Sequence, residues 1–248
     1  MLLAGLCLHG LPDPLPAFAA PAVECTSMPA TLSDHTLEQF RAQAAGRQPV
    51  PAGVAVAAVC AGFALGLLVK VLAVSGSRKS CPVEPGTLET LTGAAQAAST
   101  HMLQLGQDDV AAFEAYLAAA RLPRTTDRER SQRRQALESA VAHAIELPLA
   151  AAREAAEGLR LSGAAFCLTP PALLADLGSV TSLLSGALRT FLMCADSNVR
   201  LLAPETSAYQ DGLPSAAKRA REALREADEL LERIAASLQA GARPATDR

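Results

Sequence analysis

The stretch that decides the fold is Arg47-Gln-Pro-Val-Pro-Ala-Gly-Val-Ala-Val-Ala-Ala-Val-Cys-Ala-Gly-Phe-Ala-Leu-Gly66. It is a Pro-Gly turn that opens directly into a long run of alanine, glycine and other apolar residues. Pro51 fixes φ and suits the first turn of a helix, and Gly53, which has no Cβ, lets a ligand approach the backbone. The stretch therefore predicts a buried helix with small residues for close packing, whose free N–H groups face a ligand.

The composition favours helices over strands. Of the 248 residues, 50% are hydrophobic but only 3% are aromatic, and tryptophan is absent. Strand-like alternation is nearly missing, whereas apolar residues recur three and four positions apart along most of the chain. We predict an all-α fold, a single multi-helix bundle around the central Ala/Gly-rich helix. The periodicity also predicts a helix end near Gly106, a new helix beginning at Asp108 and Asp109, and a kink or restart at Pro148.

Three regions are predicted along the chain. Residues 1–30 contain several prolines and little helical periodicity, which indicates a disordered leader or a translation start at Met28. The alternative is a signal peptide, although the basic n-region that such peptides need is missing. A helical domain is predicted over 31–240 and a disordered tail over 241–248.

Charge and cysteine spacing exclude several classes of protein. The net charge is −3 and basic residues are interleaved with acidic ones, so no nucleic-acid partner is expected. The six cysteines are scattered without a C-x-x-C pair, which argues against a metal site and against a disulfide framework. This usage fits a reduced, cytoplasmic compartment.

The central apolar helix leaves a membrane alternative open. Residues 52–69 carry no charge, and Gly62-x-x-x-Gly66 resembles a membrane dimer motif. Alanine and glycine are weak hydrophobes, however, and no aromatic belt flanks the run. A helix wrapped by its neighbours is also apolar on every side, so we expect no membrane partner and keep a helical membrane-associated protein as an alternative.

Four short motifs follow one another along the chain. In order, they are Pro51-Ala-Gly53; Asp109-Val-Ala-Ala-Phe113 with Leu122-Pro-Arg124; Ala144-Ile-Glu-Leu-Pro-Leu149; and Asp176-Leu-Gly178 with Ala187 and Asn198 downstream. They resemble the Pro-Gly-Gly-Gly-Ser turn, the Asp-x-x-Ala-Phe…Leu-Pro-Lys block, the Ala-x-x-x-Pro-Leu turn and the Ser-Asp-x-Gly…Ala…Asn helix of the formiminotetrahydrofolate cyclodeaminase / methenyltetrahydrofolate cyclohydrolase family. The resemblance runs from about residue 32 to residue 238.

This resemblance implies an all-helical subunit, a homodimer and a tetrahydrofolate derivative as substrate, with no cofactor beyond it. The implied activity is that of a folate-dependent one-carbon enzyme, either a cyclodeaminase or a methenyltetrahydrofolate cyclohydrolase. Ala52, Val54 and Ala55 stand where the family turn has two glycines and a serine, and Cys194 stands where an asparagine is expected. The added β-carbons would crowd a folate, so an inactive folate-binding or helical dimeric interaction module is the alternative.

Either reaction needs a carboxylate that moves protons beside a cationic carbon. Asp176 is the first candidate because it follows a loop and starts a helix, although aspartate is also favoured there as an N-cap. Asp109 is the second candidate, and its alternative role is an acid that complements the dipole of a helix start.

The remaining candidate residues would bind the substrate. Arg121 and Arg124 could pair with the glutamyl carboxylates of a folate, although a solvated charged face is the other interpretation. The resemblance implies four further substrate-binding residues, which are Pro51, Gly53, Gly178 and Asn198.

Overall fold

The structure is a computed structural model, and it describes residues 31–77, 85–199 and 212–241. The predicted leader at 1–30 and all but the first residue of the predicted tail at 241–248 lie outside the described residues.

The described residues form helices and no strand, which confirms the predicted all-α fold. Short 3₁₀ turns precede the first helix and join the fourth helix to the fifth. The six α-helices are α1 (Leu37–Ala44), α2 (Gly53–Gly76), α3 (Pro85–Ala120), α4 (Asp127–Ala165), α5 (Leu174–Val199) and α6 (Gly212–Gly241).

Helix α2 is the centre of the bundle, as its composition predicts. Leu65, Leu68 and Leu72 are fully buried because α3, α4 and α5 pack around them. Both α3 and α5 run antiparallel to α2. Small residues bring α2 and α3 close together, and the Ser99 hydroxyl of α3 donates a hydrogen bond of 2.9 Å to the Gly62 carbonyl.

The predicted helix end near Gly106 is wrong, because α3 continues without a break for 36 residues. A β-carbon at Gly106 would lie only 2.9 Å from the Cβ of Ala58 in α2. The glycine is therefore needed for close contact between two helices rather than for a helix terminus. It follows that Asp109 lies in the interior of a helix and does not complement the dipole of a helix start.

The predicted restart of the helix at Pro148 is wrong, whereas the predicted kink there stays a prediction. Helix α4 runs for 39 residues with Pro148 inside it. Its N-terminus begins at a capping box, in which the Thr126 hydroxyl accepts from the Glu129 N–H and the Glu129 carboxylate accepts from the Thr126 N–H. The proline is tolerated because the carbonyl that it leaves without a partner is bonded by another helix, as described below.

Two helices, α2 and the segment Pro171–Val199, are long and apolar enough to cross a membrane by length and composition alone. In the most apolar 18-residue stretch of α2, 61% is buried inside the protein. A core helix that does not cross a membrane is buried in the same way. The membrane alternative therefore stays a prediction.

Candidate functional site

Asp109 of the second motif and Cys194 of α5 lie near the first turn of α2, which carries the first motif. The Val50–Pro51 peptide bond is cis, and the N-cap of α2 is Ala52, whose side chain offers no capping hydrogen bond to the first N–H groups of the helix. Cys194 of α5 lies across from this turn, since a β-carbon added at Gly53 would be 3.4 Å from the Cys194 Sγ. We call the region at the start of α2 beside Gly53, Cys194 of α5 and Asp109 of α3 the recess.

Asp109 of α3 contributes the acidic group of this recess. Its side chain is partly buried, and within the described part of the chain no side chain hydrogen-bonds or ion-pairs with it. Burial disfavours the charged form and raises the pKa of the Asp109 carboxyl to about 6. A carboxyl that titrates near neutrality can both accept and donate a proton under physiological conditions.

Cys194 lies beside Asp109. Burial raises the pKa of the Cys194 thiol, and the negative charge of Asp109 raises it further. Cys194 therefore remains a neutral thiol in the recess and is not an activated nucleophile. The sequence indicated Cys194 only as a departure from the family pattern, and its position beside Gly53 and Asp109 could be known only from the fold.

Asn198 of α5 links this helix to α4 by a hydrogen bond. Pro148 has no N–H, so the carbonyl of Ala144, four residues before it, lacks its usual partner in the helix. The Asn198 side-chain amide donates a hydrogen bond of 2.8 Å to this carbonyl. The Ala-x-x-x-Pro motif and the downstream asparagine are thus two halves of one structural contact, which gives Asn198 a role in positioning α5.

This contact predicts a strong coupling between Asn198 and Pro148. Asn198→Ala should lower the free energy of unfolding by about 1–3 kcal/mol, the usual cost of a buried carbonyl without a partner. In a Pro148→Ala background the same change should cost much less, because the alanine that replaces the proline supplies a backbone N–H to the Ala144 carbonyl. Urea unfolding of the four proteins measures the coupling, and an equal cost of Asn198→Ala in both backgrounds would refute the contact.

Asp176 and Gly178 lie at the opposite end of α2 from the recess. Asp176 is the third residue of α5 rather than its N-cap, and its Oδ2 is 4.0 Å from the Nζ of Lys70. Lys70 follows Gly53 by 17 residues, which is about 25 Å along a helix that rises about 1.5 Å per residue. Within one subunit, the two candidate carboxylates therefore do not share a site.

Gly178 lines an open groove of about 630 Å³ between α5 and α6. The groove is apolar, with Leu231, Ile234 and Leu238 on the α6 side. The hydroxyls of Ser179 and Ser182 are bonded to carbonyls of their own helix, so they do not point polar groups at a ligand. Ligand sites combine an apolar lining with a few converging polar groups, and the lining of this groove lacks free ones.

Arg121 and Arg124 lie beyond the recess, in the turn between α3 and α4. Both are exposed, and Arg124 makes a contact of its own within the protein. Arg121 follows Asp109 by 12 residues, about 18 Å along the helix direction. At this distance the two arginines could reach only the far end of an extended ligand.

The described residues contain no group of three or more histidine, cysteine, aspartate or glutamate side chains placed to hold a metal ion. The groups present at the recess are the Asp109 carboxyl, the first backbone N–H groups of α2 and the Cys194 thiol.

Known proteins that are similar to this chain are described as cyclodeaminases or as a methenyltetrahydrofolate cyclohydrolase. A family model described as formiminotransferase-cyclodeaminase matches residues 36–210. Formimidoyltransferase-cyclodeaminase of Rattus norvegicus is 31% identical over 119 residues, which are 48% of this chain and 22% of that protein. Methenyltetrahydrofolate cyclohydrolase of Methylorubrum extorquens is 29% identical over 130 residues, 52% of this chain and 62% of that protein.

A solved structure is also similar. The crystal structure of formiminotetrahydrofolate cyclodeaminase from Thermotoga maritima superposes with a TM-score of 0.69 at 18% identity, covering 84% of this chain and 98% of that one. At this identity the similarity shows the fold. The matched region spans about a fifth of the length of the rat protein. Because the family match extends over residues 36–210, well over half of the chain, this protein belongs to the formiminotransferase-cyclodeaminase family.

Proposed function

We propose that this protein is a folate-dependent one-carbon enzyme of the cyclodeaminase or methenyltetrahydrofolate cyclohydrolase type. A tetrahydrofolate derivative is its ligand, no further cofactor takes part, and the active form is a cytoplasmic homodimer. The observation that carries the proposal is Asp109, a partly buried carboxyl with its pKa raised to about 6, whose charge acts on Cys194 beside the start of α2. The family relationship and the names of the similar proteins support the choice of substrate.

In the cyclodeaminase reaction, an amine of the folate attacks its own formimino carbon, and ammonia leaves from the tetrahedral carbon that results. The departing nitrogen must gain a proton, which a protonated Asp109 can donate. In the cyclohydrolase reaction, a water attacks the cationic methenyl carbon and must lose a proton, which an ionised Asp109 can accept. A pKa of about 6 gives both forms a substantial population near neutral pH.

The substitutions at Ala52, Val54 and Ala55 crowd a bound folate less than the sequence alone predicts. The side chain of Val54 is 5% exposed and packs into the core, and Ala55 is fully buried. Their β-carbons therefore point away from the recess, and only Ala52 adds bulk on its partly exposed side. The approach to the backbone at Gly53 stays open, which supports an active enzyme over an inactive binding module.

Two assays on the purified protein test the proposal. Ammonia release from 5-formiminotetrahydrofolate reports the cyclodeaminase reaction, and loss of methenyl absorbance from 5,10-methenyltetrahydrofolate reports the cyclohydrolase reaction. We expect turnover of at least one substrate, in proportion to protein concentration. Binding of 5-formyltetrahydrofolate by isothermal titration without turnover of either substrate would support the inactive binding module instead, and no binding at all would refute a folate site.

A further inference from the structure

The contacts between α2 and α3 place Asp109 level with the first turn of α2. The Ser99 hydroxyl of α3 bonds the Gly62 carbonyl in the middle of α2, and Gly106, about two turns further along α3, lies against Ala58. Because the two helices are antiparallel, each step forward along α3 is a step back along α2. Asp109 follows Gly106 by about one helical turn, which brings it to the start of α2.

Cys194 reaches the same turn from α5. A β-carbon added at Gly53 would lie 3.4 Å from the Cys194 Sγ, so the thiol lies against the backbone of α2. The side chain is partly buried and packs against the hydrophobic core. The negative charge of Asp109 raises the pKa of this thiol, as expected for neighbouring groups. Within the described part of the chain, however, no hydrogen bond joins the thiol to the Asp109 carboxyl.

We propose that Cys194 is a positioning residue for Asp109, which fills the space beside the carboxyl without binding it and so leaves both carboxyl oxygens to the substrate. The inference rests on the proposed function. A thiol is a weak hydrogen-bond donor, and the Cys194 thiol is neutral, so it neither holds the carboxylate in place nor balances its charge. The hydrogen-bonding capacity of Asp109 is therefore kept for the reacting folate.

The residue type at position 194 decides how Asp109 titrates. The family pattern has an asparagine there, and a side-chain amide carries two N–H donors in place of one weak S–H donor. An amide beside Asp109 would donate to the ionised carboxylate, favour the charged form and lower the pKa of the carboxyl. With cysteine at this position burial acts unopposed by such a bond, and the pKa of the Asp109 carboxyl is raised to about 6.

This difference matters most for the cyclodeaminase reaction. There Asp109 must hold a proton that it can donate to the departing ammonia. A carboxyl with a raised pKa holds that proton in a larger fraction of molecules at neutral pH than a carboxyl bonded to an amide.

The described side chains around Asp109 supply no other partner for its carboxyl. The charged and titratable groups on the neighbouring elements near this end of the bundle are Asp34, His35 and Arg47 ahead of α2, Cys60 on α2, Asp108 and Tyr116 on α3, His143 and Glu146 on α4, and Asp196 on α5. None of them forms a hydrogen bond with Asp109, and Asp108 is bonded to Gln104 instead. Lys70, the single charged residue of α2, lies about 25 Å along the helix from Gly53.

A carboxyl titration tests the role of Cys194 without any substrate. In protein isotopically labelled at the aspartate carboxyls, the NMR signal that is missing from Asp109→Asn belongs to Asp109. Its midpoint should lie at about pH 6 in the parent protein. In Cys194→Asn it should fall below about pH 5, because the amide favours the charged form. Cys194→Ala removes the thiol but adds no donor, so it should keep the midpoint of the parent.

Two further variants complete the titration. Cys194→Ser adds a hydroxyl that is close to the thiol in size and is a stronger donor, so it should lower the midpoint in the same direction by less. Cys167→Asn is the matched control, because this exposed thiol lies in the 3₁₀ turn between α4 and α5 and its loss should leave the midpoint unchanged. Circular dichroism checks that each variant keeps the helicity of the parent.

The pH dependence of kcat/KM then shows whether this carboxyl serves the substrate. With the folate that the parent turns over, the apparent pKa of about 6 should fall together with the NMR midpoint in Cys194→Asn and Cys194→Ser, but not in Cys194→Ala. A role of Cys194 in packing alone would change the rate or the stability and leave the apparent pKa where it is.

The role of Cys194 and the proposed function fail in different ways. Folded Cys194→Asn and Cys194→Ser proteins that both keep the midpoint of the parent would overturn the role of Cys194 and leave the proposed function standing. A lowered midpoint with an unchanged kinetic pKa would overturn it as well. A lowered midpoint in a protein that neither binds nor turns over a folate would overturn the proposed function, while the effect of Cys194 on the Asp109 carboxyl would stand.

Discussion

Asp109→Asn is expected to abolish most of the turnover and at the same time to make the protein more stable at neutral pH. Loss of a positioned acid or base typically lowers the rate by about 10²–10⁴-fold. The gain in stability follows from the raised pKa of the Asp109 carboxyl, which shows that the folded protein disfavours its charged form. An uncharged amide of the same shape removes that penalty, and we expect an increase of about 1–3 kcal/mol in the free energy of unfolding at pH 7.5.

The sign of the pH dependence is specific to this group. In the unfolded chain Asp109 loses its proton near pH 4, whereas in the folded protein it keeps it until about pH 6. Between these values the folded state binds more protons than the unfolded state, so the Asp109 contribution to stability falls as the pH rises and then levels off above pH 6. This fall should be missing in Asp109→Asn, and urea unfolding at pH 4.5 and 7.5 measures the difference.

Asp108 provides the matched control. It is the neighbouring acid on the same helix, and its Oδ1 accepts a hydrogen bond of 2.8 Å from Gln104. Asp108→Asn should leave turnover close to that of the parent and should keep the fall in stability with rising pH that Asp109 causes. An Asp109→Asn variant that is as active as the parent, or that is less stable than the parent at pH 7.5, would contradict the role given to Asp109.

Gly106→Ala is expected to destabilise the bundle, although alanine is ordinarily the better helix former. The new β-carbon would lie 2.9 Å from the Cβ of Ala58, which is fixed to the backbone of α2 and cannot turn away. Overpacking of this kind costs about 1–3 kcal/mol, so the melting temperature should fall by several degrees. Gly93→Ala in the same helix meets no atom within 4 Å and should instead stabilise by up to about 1 kcal/mol.

Thermal unfolding of these two variants beside the parent is the test. Opposite signs for Gly106→Ala and Gly93→Ala would show that α2 and α3 touch at Gly106. A stabilised Gly106→Ala variant would mean that the two helices are further apart than the structure has them.

The sequence predicts the helices better than their ends. The apolar run after Gly53 predicts α2 and its burial correctly, because a periodic pattern of small residues has few other uses. The helix end predicted at Gly106 and the helix restart predicted at Pro148 are wrong; the sequence predicts them because both residue types often stop helices. Here one permits close contact with Ala58, and the other has its orphaned carbonyl satisfied by Asn198. Both reasons depend on a neighbouring helix and cannot be read from the local pattern.

The candidate site is predictable in part. The motif order indicates Asp109, Gly53 and Asn198, and the fold brings the segments that carry them to one end of α2. The distance between Asp109 and Asp176 is not predictable, because it depends on which ends of the antiparallel helices meet. The neutral thiol of Cys194 beside Asp109 likewise becomes visible only when α3 and α5 are placed side by side.

The most direct measurement of the central claim is the pH dependence of kcat/KM for 5,10-methenyltetrahydrofolate between pH 4.5 and 8, corrected for the rate without enzyme. If Asp109 accepts the proton of the attacking water, kcat/KM should rise with pH through an apparent pKa of about 6, the value that burial gives its carboxyl. The residual rate of Asp109→Asn should lack this rise. An enzyme-catalysed rate with the same rise in both proteins, or with no rise near pH 6 in the parent, would contradict the assignment of proton transfer to Asp109.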